Sequence, residues 1–145
     1  MSRELRAGDL LPPRRYRVDA GPMKVFSVLM ADPNPIHFDP EFVARIGRGD
    51  RPINQGTLNL AYLLNAVIVW LDGPAAVARI RRFACRFGGS VYAGDEVVTG
   101  GRVTGVDGHG ASMELWLDRS GGQRVLSGTV LIAPARAERG GTGDV

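Results

Sequence analysis

The sequence predicts an α+β fold in which an antiparallel β-sheet wraps around one long buried helix. Three observations carry that expectation. Gly56 to Leu71, G-T-L-N-L-A-Y-L-L-N-A-V-I-V-W-L, is apolar almost all round, with Asn59 and Asn65 as its only amides, and a helix apolar on every side has to be buried. Four later stretches, Val77 to Phe87, Glu96 to Val106, Ala111 to Arg119 and Gln123 to Ala133, mix branched and aromatic residues with alternation and are separated by glycine-containing turns. That is the pattern of successive antiparallel strands. The chain has 145 residues, enough for one domain with a substantial core, and a sheet laid on a helix covers the apolar side of both.

Residues 3–13, R-E-L-R-A-G-D-L-L-P-P, read as an extended lead-in with a Gly-Asp turn and a double-proline stop. Arg14 to Ala20 alternates as a first strand. Gly21-Pro22 breaks it, and proline suits the first turn of a helix. From Met23 to Met30 the apolar positions Val25, Phe26, Val28, Leu29 and Met30 predict a short helix with one packed face. It ends at the loop Asp32-Pro33-Asn34-Pro35. Asp39 then caps a second short helix that opens with Pro40, carries Phe42, Val43 and Ile46 inward and stops at Gly47. A polar turn, Gly47 to Pro52, leads to the long helix, which Asp72-Gly73-Pro74 terminates. Gly105 to Gly110 and Ser120 to Gly122 are hairpin connections, with His109 as a solvated turn residue in the first. From Pro134 onward apolar periodicity is absent, so the domain is expected over residues 1–133 and a flexible tail over 134–145. A sheet of this size leaves an edge or a face uncovered, and dimerisation is the economical remedy.

Composition excludes several classes. The net charge is +3, and 17 of the 18 basic residues are arginine. Two loose clusters, Arg14, Arg15 and Arg17, then Arg79, Arg81, Arg82 and Arg86, lack the interleaved aromatics of a single-strand binder, so no nucleic-acid partner is expected. Clusters of this kind also suit the phosphates of a nucleotide-bearing carrier. Cys85 is the only cysteine, which excludes an internal disulfide, and it reads as inert. Two scattered histidines make no zinc spacing; neither metal nor cofactor is expected. The N-terminus has no apolar signal-peptide segment, and Leu60 to Leu71 is too short to span a bilayer. A cytoplasmic protein without membrane contact is expected.

Chemistry concentrates in Ala31 to Asp39, A-D-P-N-P-I-H-F-D. Pro33 and Pro35 push Asp32 and Asn34 toward extended conformations, so no helix runs through and Asp32 and His37 sit on a stiff loop. From the residues alone this is either a polar turn with an incidental histidine or a carboxylate and an imidazole presented together.

The stretch Ala31-Asp32-Pro33-Asn34-Pro35-Ile36-His37 resembles the motif G-D-x-N-P-I-H of the MaoC-like hot-dog-fold hydratases and dehydratases, which include the (R)-specific enoyl-CoA hydratases; it departs only at the first glycine. The resemblance extends over about residues 5–133. L-R-A-G-D-L-L-P-P-R-R-Y-R-V is similar to the family's lead-in, Phe38 to Ala44 to its post-histidine helix, and Ile53 to Leu64 to the start of its central helix. Arg86-Phe87 and Ala93-Gly94-Asp95-Glu96 are similar to its second strand and following turn.

The resemblance implies a homodimeric or heterodimeric lyase acting on acyl-CoA or acyl-ACP thioesters, with Asp32 and His37 handling one water. A carboxylate and an imidazole can share the proton removed from water and the proton delivered to the α-carbon. Asn34 is implied as a support of the loop or the water. Gly56 is the candidate oxyanion donor, because a backbone N–H at a helix N-terminus carries partial positive charge. Its neighbours Gln55 and Thr57 are supporting candidates. In the family the glycine usually follows a histidine, and here it follows Gln55, a departure that touches the pocket's shape and the acyl group preferred. Tyr62, Trp70 and Phe87 are expected in the core. Two alternatives compete: a thioesterase, disfavoured because Thr57 to Leu71 contains no acid, and a catalytic or non-catalytic small subunit of a heteromeric hydratase.

Overall fold

The computed structural model describes residues 3–135. In chain order these form β1 (Leu10–Leu11), β2 (Arg15–Arg17), α1 (Ala20–Leu29), a 3-10 turn at Pro35–His37, α2 (Pro40–Arg45), α3 (Gly56–Trp70), a second 3-10 segment at Pro74–Arg79, and then β3 (Ile80–Phe87), β4 (Glu96–Asp107), β5 (Gly110–Arg119) and β6 (Gln123–Ile132). All pairings are antiparallel. The strand order is β1-β4-β5-β6-β3, and β2 also pairs with β4.

Alternation along β5 shows how the sheet meets its helix. Ala111, Met113, Leu115 and Leu117 are buried, and they oppose Ile132, Val130, Gly128 and Leu126 of β6 in register. This inner face packs on Leu63, Ala66, Val67 and Trp70 of α3 in one continuous cluster. Side chains two apart on a strand share a face and those three or four apart on a helix share a side, so these positions are the ones that can meet. Gly110 makes the turn into β5 possible. Its φ is +136°, and a Cβ there would lie 2.1 Å from the Ile132 carbonyl oxygen.

Five expectations are corrected. The strand expected over Arg14 to Ala20 is β2, only three residues long and preceded by the two-residue β1, and the helix after it starts at Ala20 rather than Met23, because Pro22 lies within its first turn, where proline is tolerated. The packed side of α1 is Met23 and Ser27; Val25, Val28, Leu29 and Met30 are exposed, Val28 by 80%. Likewise Val43 of α2 is buried but Ile46 is exposed. Strand β3 begins at Ile80, since Pro74 opens a 3-10 segment through Val77. Finally, α3 is not covered all round. One sheet buries Asn59, Leu63, Ala66, Val67 and Trp70 and leaves Val69 half exposed. The tail expected over residues 134–145 lies outside the described residues from 136 onward.

Candidate active site

The loop carrying Asp32 is set by the end of α1. Met30 is the C-cap and Ala31 follows with φ +49°, while the Asp32 N–H donates to the Ser27 carbonyl (2.9 Å) and the Ala31 N–H to that of Val28 (3.2 Å). This pair of bonds closes a helix through a left-handed residue, a position that favours glycine. The one departure from the family motif, Ala31, therefore occupies a strained position, and the glycine it replaces has a backbone reason.

The next turn fixes the carboxylate. The Asn34 N–H donates to Asp32 Oδ1 (3.1 Å), and Asn34 Oδ1 accepts from the Ile36 N–H (3.3 Å) to cap the 3-10 turn in which Pro35 stands first. That turn carries the His37 ring back, so that Nε2 lies 3.3 Å from Asp32 Oδ2. His37 is buried (8%), whereas the Asp32 side chain is 36% exposed. The far ring nitrogen, Nδ1, is 2.6 Å from the Ile53 carbonyl oxygen. A carbonyl only accepts, so Nδ1 carries the proton and Nε2 is the atom left to work with Asp32.

Ile53 belongs to a connector stitched on both sides. Its N–H donates to the Ile36 carbonyl (2.8 Å), it bridges Tyr92, and the Asn54 N–H donates to Val91 (2.7 Å). The connector runs directly into α3, whose first residue is Gly56. The N–H at that position has no acceptor within its own helix, and the first turn holds no acidic side chain to quench it. Gly56 lies against Phe87, where a Cβ would come within 3.0 Å of the ring. Phe87 is therefore not a core residue: it is 52% exposed at the end of β3 beside Gly56. Tyr62 is half-buried and stacked on Tyr16 at 4.9 Å between centroids, and Trp70 is buried.

Gln55 is 3% exposed, and its Nε2 donates to the Met23 carbonyl and to Ser27 Oγ, both at 2.9 Å. Thr57 is exposed, and no hydrogen bond among the described residues joins its side chain to this cluster. Val28, Ala31, Pro33 and Phe38, together with Ser27 and Asp32, line an open groove of about 630 Å³ beside the carboxylate. Among the described residues no three His, Cys, Asp or Glu side chains gather as for a metal, and no helix is long and apolar enough to cross a membrane. Asp32, Asn34 and His37 are thus brought together, and Gln55 is tied to α1 through Met23 and Ser27, while Gly56 follows Gln55 at the start of α3 and lies against Phe87. Ile53 escapes sequence reasoning because it acts through its backbone carbonyl. Ser27 escapes it as well, because the sequence places the packed face of α1 on Val25, Phe26, Val28, Leu29 and Met30, whereas Met23 and Ser27 are the buried positions.

The sequence profile of the MaoC like domain matches residues 9–115. Among solved structures, an (R)-hydratase from A. caviae involved in PHA biosynthesis is 26% identical, with a TM-score of 0.81 over 90% of this chain and 98% of that one. R-hydratase PhaJ1 from Pseudomonas aeruginosa is 22% identical, with a TM-score of 0.80 over 92% and 84%. The ChsH1-ChsH2 complex from Mycobacterium tuberculosis matches at 21% identity and a TM-score of 0.77 over 89% and 98%. The last two likenesses speak to the fold. No curated protein matches the chain at a significant level.

Proposed function

The chain belongs to the MaoC-like domain family and has the hot-dog fold of its solved relatives; on that premise we propose that it hydrates 2-enoyl thioesters with (R) stereochemistry, or dehydrates the corresponding 3-hydroxyacyl thioesters. The observation that carries the reading is the approach of His37 Nε2 to Asp32 Oδ2 at 3.3 Å, with Nδ1 already engaged by Ile53. Two proton-handling atoms facing one point are what a single bound water requires.

In the hydration direction the water oxygen bonds to the β-carbon while one of the pair removes its proton. The π electrons move through the α-carbon toward the thioester oxygen, where the Gly56 N–H and the α3 dipole hold the developing negative charge. The proton held by the pair then goes to the α-carbon. Dehydration runs the same steps in reverse. Asn34 supports the carboxylate through its backbone N–H, and the groove beside Val28 and Phe38 takes the acyl chain. The carrier is coenzyme A or an acyl carrier protein, no cofactor enters, and the reaction is assigned to the cytoplasm.

The exposed apolar residues of α1 and the free edge of β3 support association with a second hot-dog subunit. A homodimer and a heteromeric hydratase with a different partner both meet that need, and the second would make this chain its small subunit. The absence of an acid on α3 argues against a thioesterase. Loss of the enoyl-thioester absorbance band, followed over enoyl-CoAs of increasing acyl length with the chain alone and with candidate partners, tests the reading. No loss with any substrate or partner rejects it.

A further inference from the structure

One buried side chain joins the start of α3 to α1. Gln55 immediately precedes Gly56, and its buried amide reaches across to α1. The direction of the amide is fixed chemically. The Met23 carbonyl can only accept, so the nitrogen has to face it, and both amide hydrogens are used, one on Met23 and one on Ser27 Oγ. Ser27 continues the connection through its carbonyl, which takes the Asp32 N–H at 2.9 Å. Ser27 also lines the groove beside Asp32, one residue from Val28 and four from Ala31.

From this path we infer that Gln55, with Ser27, is a positioning and specificity-determining pair: it holds α1 at a set distance from the start of α3 and so fixes the width of the acyl groove. The inference rests on the hydratase reading for its substrate class. An imidazole at position 55 presents one N–H in its neutral form and cannot hold both acceptors at once, so a relative with histidine there cannot seat α1 in the same way. Neither residue transfers a proton. The pair acts on α1, which lines the groove through Lys24, Ser27 and Val28 alongside Pro33 and Phe38.

Gln55→Glu keeps the side-chain shape and leaves at most one donor, the O–H of the protonated acid, so it cannot hold both acceptors, and Ser27→Ala removes one acceptor while leaving Met23. The two single variants and the double variant are compared with wild type by kcat and KM over 2-enoyl-CoAs from four carbons upward, and by amide hydrogen exchange of residues 20–32. The pair predicts faster exchange over α1 and at Asp32 in both single variants. It also predicts a change of about tenfold or more in the ratio of kcat/KM between short and long acyl chains, as a shift of about 1 Å in groove geometry would give. Adding the second substitution should change little more than the first. Equal losses at every chain length, additive effects, or unchanged exchange over residues 20–32 would overturn it. If wild type, alone and with candidate partners, hydrates nothing in the panel, the hydratase reading fails, and the exchange data still decide whether Gln55 seats α1.

Discussion

The Asp32 carboxylate meets the His37 ring at Nε2, 3.3 Å away, because the other ring nitrogen is already bound to the Ile53 carbonyl at 2.6 Å. The connector before α3 thus decides which imidazole atom faces the carboxylate. In the neutral ring the proton belongs on Nδ1. Nitrogen-15 NMR of the imidazole is expected to show that tautomer in the folded protein. A neutral ring protonated at Nε2 would contradict the geometry.

Ala31 gives a second prediction. A non-glycine residue in the left-handed region costs about 1–2 kcal/mol, while glycine adds about 0.4–1 kcal/mol of unfolded-chain entropy. With φ at +49°, Ala31→Gly is therefore expected to stabilise the fold by about 0.5–1 kcal/mol and raise Tm by about 1–4 °C. A fall in Tm on thermal denaturation would show that this residue is unstrained.

Asp39 accepts from the Phe42 N–H at 3.0 Å and caps α2, which packs beside the turn carrying His37. Removing such a cap costs about 1 kcal/mol. Asp39→Ala should lower stability by that amount in urea denaturation, with the m-value unchanged. A variant as stable as wild type would mean that the cap contributes nothing net.

Tyr62 contributes to the loss of stability in alkali. Burial, then the Asp19 charge, then Tyr16 push its phenol above the ordinary value of 10.0. The unfolded chain therefore loses this proton first, and stability present below about pH 10 is lost as pH rises through the folded value. Wild type should lose stability above pH 10 more steeply than Tyr62→Phe. Parallel curves would remove Tyr62 from the account.

Much of this was legible because periodicity and turn chemistry act locally. The strand from Glu96, the hairpins, the Asp39 cap and the start of α3 at Gly56 follow from alternation, glycine and capping residues. The meeting of Asp32 and His37 entered through resemblance, since residue types alone favoured a polar turn with an incidental histidine. What stayed hidden depends on contacts distant in sequence. The exposure of Val28 and Leu29, the place of Phe87 beside Gly56 and the reach of Gln55 to Met23 are set by how α1 and β3 lie against α3, and no local pattern encodes that. The apolar run of α3 misled for a related reason: a side free of polar residues reads as buried, although one sheet covers only part of it.

The central claim is that Asp32 and His37 handle one water on an enoyl thioester. Asp32→Asn keeps the size of the side chain and removes its charge, so the fold should persist. The direct test is hydration of crotonyl-CoA, read as loss of the enoyl band, by wild type and Asp32→Asn at matched concentration, with Tm recorded for both. The account predicts turnover by wild type and a loss of about 10²–10⁴-fold in the variant at nearly unchanged Tm; full activity in Asp32→Asn would contradict it.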